Sequence, residues 1–158
     1  MKQDKQQILE RIIIIAIVIA PLLFIYNFTN KEVNFCRSVF NGLIKGSYFV
    51  HRHIDWRNFK ALDVDIGKAF LQLPNEYERT NYKKAFIKSF SIGFQNTGAK
   101  FSSFSNWRIF SRAKASLIIA AENRLKGKTL LFVISKSAKQ RLLGLQLVDT
   151  ASLQAGEQ

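Results

Sequence analysis

The segment FVHRHIDW, residues 49–56, carries both histidines of the chain, His51 and His53, followed by Asp55. A histidine held by a carboxylate is an acid/base pair, because imidazole titrates near neutral pH and the carboxylate fixes its tautomer. Metal binding is the second chemistry these residue types could serve, but it needs three or four converging ligands. Two histidines two positions apart share one face of a strand, yet stand about 200° apart on a helix. The single cysteine, Cys36, supplies neither a cysteine-based zinc site nor a disulfide. The sequence therefore implies no metal and no cofactor, and His53 and Asp55 are the weak candidates for catalysis.

A plainer role competes with the acid/base pair. Asp55 precedes Trp56 in DWRNF, where a carboxylate can N-cap the next helical segment. A histidine ending the preceding helix complements the helix dipole when protonated. Asp63 and Asp65 in LDVDIG suit a turn or another helix start, and Glu76 and Glu78 suit the first turn after Pro74. No serine or cysteine nucleophile with a positioned base is recognisable. The balance favours a non-enzymatic role.

The elements that must position these residues divide the chain in two. From Asn34 to about Phe94 the period is helical, with Phe35, Val39, Leu43 and Phe40 on one face. Gly42 and Gly46 weaken this first helix or admit a close backbone. After Trp56 the pattern predicts short helical pieces, broken at Pro74. Tyr82, Phe86, Phe90 and Phe94 then fall at i+4 steps, an aromatic stripe of core type.

From about Lys100 to Asp149 the period becomes that of strands. NWRIFSR, KASLIIAAE, KTLLFVIS and QRLLGLQLVD are joined by links too short for a crossover, which predicts an antiparallel meander. Leu143, Leu145 and Leu147 share one face, and Leu117, Ile119 and Ala121 another. TASLQAGEQ reads as a flexible tail, residues 150–158.

The expected class is α+β: an N-terminal transmembrane helix, then helices packed on a curled antiparallel sheet of about four strands. In element order, from FCRSVFNGLIKGSYFV through ERTNYKKAFIKSF to NWRIF, residues 34–149 resemble the nuclear transport factor 2-like (cystatin-like cone) superfamily. That resemblance implies a cone with an apolar cavity, for which Phe86, Phe90 and Trp107 are the expected lining. It also implies that an acid/base dyad would have to face that cavity. The fold hosts enzymes, carriers and binding modules, so function must come from the site.

IIIIAIVIAPLLFIY, extended to Phe28, makes residues 12–28 a charge-free stretch at the short end of the roughly 17–25 that span a bilayer. No small-x-small cleavage site follows, which favours an uncleaved signal anchor over a signal peptide. The layout is then a tail (1–11), the anchor (12–28), a linker (29–33) and the domain (34–149). A short tail before the span places the domain outside the cytoplasmic (inner) membrane, periplasmic in a bacterium.

The formal net charge is +13. Between Lys83 and Arg141 only Glu122 opposes a long series of basic residues, so the excess lies on the last helix and the sheet. Lys114, Arg124, Lys126, Lys128, Lys136, Lys139 and Arg141 are the expected partner-binding residues, on a basic sheet face. An anionic envelope surface or an acidic protein partner fits them. Nucleic acid fits less well, given the outward location and the lack of a recognition motif, and a homodimer stays open. The leading expectation is a membrane-anchored binding domain in a cell-envelope assembly. The next is a carrier of a hydrophobic ligand or lipid, and the third is a cavity enzyme using His53 and Asp55.

Overall fold

The computed structural model describes residues 30–123 and 125–155. Helix α1 (Lys31–Ile44) buries Val33, Cys36, Val39, Phe40 and Leu43, the face its spacing predicted. It begins three residues before the expected domain start and ends well before Val50, because Gly46 takes φ 65°, a left-handed value that favours glycine. A 3-10 turn, Tyr48–His53, runs back along α1: Val50 lies against Gly42, and the His53 ring meets Phe35 edge-on at 5.7 Å.

The stretch after Trp56 departs from its helical expectation. Lys60–Ala61 (β1) and Val64–Asp65 (β2) form a small hairpin whose two turn residues, Leu62 and Asp63, both have positive φ. Helix α2 (Ile66–Leu71) follows, N-capped by Asp65, which accepts from the Lys68 amide at 2.9 Å. Helix α3 (Glu76–Asn96) is capped by Asn75 and carries Glu76 and Glu78 in its first turn, as expected.

Four longer strands complete the sheet: β3 (Phe104–Arg112), β4 (Ser116–Asn123), β5 (Lys128–Ser135) and β6 (Leu142–Asp149). They form the expected antiparallel meander, but the sheet has six strands and is mixed, in the order β2-β1-β6-β5-β4-β3. β1 lies parallel to β6, with Lys60 opposite Gly144. Two-residue strands are too short to show a period of two, which is why sequence pattern passed over them. Residues 62–141, which include α2, α3 and β3–β5, form the long connection that parallel pairing of β1 with β6 requires. A register shift near Ile134 also puts Leu142, not Leu143, in the core.

Leu117, Ile119, Phe132, Ile134 and Leu145 line the helix-facing side of the sheet. At its centre Phe40 of α1 meets Phe94, Phe101, Phe104, Trp107 and Phe132, several of them edge-to-face, the arrangement ring quadrupoles favour. A second cluster joins Trp56, Phe59, Phe70 and Phe86. The predicted flexible tail is instead helical over α4 (Thr150–Ala155). Thr150 docks it by a hydroxyl contact to Thr129 and by a hydrogen bond from its backbone N–H to the Gly127 carbonyl. Among the described residues no helix is long and apolar enough to cross a membrane; the expected span at 12–28 lies outside them.

Candidate functional site

The histidine segment does not assemble an acid/base pair. His51 donates from Nδ1 to the Tyr48 carbonyl at 2.6 Å and stacks on the Tyr48 ring. Trp56 is buried and donates its indole N–H to the His51 carbonyl. Asp55 accepts from the Arg57 amide and the Asn58 side chain, so it closes a tight turn instead of capping a helix. His53 is exposed, with its ring against Phe35 rather than Asp55. Burial first, then the charges of Arg141, Lys139, Arg52 and His51, hold its imidazole below the ordinary value. Among the described residues no three His, Cys, Asp or Glu side chains converge on a metal position.

The concavity with chemical character lies elsewhere. Between the C-terminal half of α3 and the end of the sheet where β4 leaves and β5 begins, the chain leaves a pocket of ≈ 430 Å³. Its floor is Phe40, and its walls include Phe90, Phe94, Phe104 and Leu130. Of the three expected lining residues only Phe90 is present; Phe86 packs on Trp56 and Phe59, and Trp107 stacks on Phe132. The i+4 stripe on α3 is half-buried, and the fully buried positions of that helix are Ile87 and Ser91.

Gly93 also lines the pocket, and a Cβ built there meets no atom within 4 Å. Leu62 and Leu147 stand at the rim, 49% and 52% exposed. Leucine in the left-handed region costs roughly 1–2 kcal/mol, so the β1–β2 turn holds an apolar side chain at the rim at a cost to its backbone. Leu147 pairs with Leu130 across β5 and β6, which continues the apolar wall outward. Its membership of the Leu145 face was readable in the sequence; Leu62, Gly93 and Ala99 gave no signal, because only the turn and the connection after α3 bring them together.

Two lysines close this rim. Lys126 donates to the Thr97 carbonyl at 3.0 Å, tying the β4–β5 turn to the end of α3, and Lys128 pairs with Asp149 at 2.7 Å. Asn123, buried, organises the same turn by accepting from the Leu125 amide.

The remaining basic residues stand at the opposite end. Strand pairing puts the β3–β4 and β5–β6 turns, with Lys114, Lys136, Lys139 and Arg141, at the end of the sheet away from Asn123 and Lys128. Lys136 donates to the Ala113 carbonyl, and Arg141 donates to that of Arg52. The basic residues therefore form two clusters at two ends, not one face; Arg124 lies outside the described residues. No protein-family model matches the chain, and neither a curated protein nor a solved structure is detectably similar to it.

Proposed function

We propose that the domain binds a hydrophobic ligand of the fatty-acyl or lipid class in the pocket beside α3, as a membrane-anchored carrier or receptor and not as an enzyme. One observation supports the reading above others: a cavity of ≈ 430 Å³ with aromatic and leucine walls and lysines only at its rim. Ligand sites commonly run about 300–1,000 Å³, apolar inside with few polar groups. An acyl chain gains ~0.8 kcal/mol for each methylene it buries. The ammonium groups of Lys126 and Lys128 offer a carboxylate or phosphate head a place at the mouth. The carrier role also agrees with the nuclear transport factor 2-like resemblance, whose cone encloses such a cavity.

A photoreactive fatty acid with a diazirine on its tail tests the reading on the full chain in lipid nanodiscs. Crosslinks are expected on peptides holding Phe90, Phe94, Leu130 and Leu147, displaced by unlabelled fatty acid. Labelling confined to residues 12–28, or spread over the surface without competition, would refute it.

A further inference from the structure

The end of the domain away from the pocket gathers cations from three separate segments. Arg52 comes from the 3-10 turn, Lys114 from the β3–β4 turn, and Lys136, Lys139 and Arg141 from the β5–β6 turn. Hydrogen bonds between the turns hold the group together: the Lys136 amide donates to the Ala115 carbonyl, and the Arg141 guanidinium to the Arg52 carbonyl. None of these residues takes part in the ion pairs Lys83–Glu76, Arg108–Glu122 or Lys128–Asp149. Asp55, three residues after Arg52, turns its carboxylate to Arg57 and Asn58. Beside Arg52, whose guanidinium lies 5.8 Å from its ring centroid, Phe49 is 73% exposed. An exposed aromatic flanked by arginine is the pairing that suits a headgroup layer, where the ring is half-solvated and the cation meets phosphate.

Chain continuity points the same way. Phe35 in the N-terminal half of α1 packs on His53, so α1 starts on the side of this cluster. If residues 12–28 span a bilayer as their composition predicts, the steps from Phe28 to Lys31 reach at most roughly 10 Å. The start of α1, and with it the cationic end, is then held close to the headgroups.

We propose that the end formed by Arg52, Lys114, Lys136, Lys139 and Arg141 docks on an anionic phospholipid surface, with Phe49 entering the headgroup layer. Each basic residue near such a surface contributes ~1 kcal/mol, about fivefold in the docking equilibrium. This proposal is independent of the pocket reading, because its surface shares no residue with the pocket lining.

The experiment uses the full chain in nanodiscs of phosphatidylcholine alone or of an equal mixture with phosphatidylglycerol. A polarity-sensitive fluorophore is placed on Ala138→Cys, in the exposed β5–β6 turn, or on Leu125→Cys, at the pocket end and 81% exposed. Native Cys36 is fully buried and stays unlabelled. Expected is a blue shift at position 138 in the anionic discs alone, lost at high salt, with the docking equilibrium weakened roughly 25-fold by Lys139→Glu, which removes one positive charge and adds a negative one. Arg52→Glu should act alike, and unchanged melting temperatures exclude misfolding as the cause. Equal shifts in both bilayers, no shift at 138, or a shift at 125 instead would each overturn the proposal. So would a response to polyglutamate with none to the anionic bilayer, which would assign the surface to an acidic protein.

Discussion

Gly93 allows fold and binding to be moved in opposite directions. It sits in the last turn of α3, where glycine costs a helix up to about 1 kcal/mol relative to alanine, and the added Cβ has open space. Gly93→Ala should therefore raise stability by up to about 1 kcal/mol, near 4 °C in Tm, and leave binding almost unchanged. Gly93→Leu keeps most of the propensity gain but adds four carbons facing the pocket. At about 30 Å³ for each water-sized group they fill roughly 120 Å³ of the ≈ 430 Å³ present. Crowding a well-packed site costs about 1–3 kcal/mol, a roughly five- to 150-fold rise in Kd. Calorimetric melting alongside displacement of a fluorescent fatty acid reads both quantities from one preparation. A Gly93→Leu variant that melts no lower than wild type and still binds with full affinity would refute the pocket as the ligand site. Loss of binding accompanied by a lower Tm would refute the propensity argument.

Three further outcomes follow from single residues. Leu62→Asn should stabilise the chain by roughly 1 kcal/mol, since asparagine tolerates the left-handed turn, while weakening ligand binding; a variant with unchanged affinity would remove Leu62 from the rim. His53 should titrate below the ordinary imidazole value of about 6.5. The folded state then binds this proton less tightly than the unfolded chain, so the site costs nothing well above pH 6.5 and destabilises increasingly as pH falls through that value toward the folded pKa. An NMR titration of the imidazole checks the sign, and Lys139→Glu should move the midpoint upward; a midpoint at or above 6.5 contradicts the burial and charge argument. Burial, and then the Glu32 carboxylate, push the Cys36 thiol far above the ordinary range, so a maleimide should modify it only after denaturant unfolds the domain.

Long, regular segments were legible and short, strained ones were not. The apolar face of α1 and the four-strand meander follow from residue periods that persist over eight or more positions, and Asp65, Glu76 and Glu78 from the preference of acids for helix starts. The β1–β2 hairpin escaped because its strands are two residues each and its turn is built from Leu62 and Asp63, neither of which signals a left-handed pair as Asn-Gly would. Its loss hid both the mixed character of the sheet and a rim residue of the pocket. Asp55 shows the same limit from the other side: a capping residue was recognisable, but whether it begins a helix or closes a turn depends on Trp56 being drawn into the core. The basic residues were counted correctly and misplaced. A turn at each end of a strand sends neighbouring lysines to opposite ends, and sequence distance does not record that.

The place of β6 in the sheet sets an order of events for a chain made from its N-terminus. The last strand lies between β1 and β5, and β1 precedes it by more than half the length of the chain. Until Leu142–Asp149 has emerged, β1 has no parallel partner and β5 presents an open edge. Helices and the β3–β5 hairpins can form as they appear, since their contacts are local, but the sheet closes in one late step. Synthesis at roughly 5–20 residues per second makes that wait several seconds long. A stop codon before Leu142 would leave most of the sequence without its middle strand.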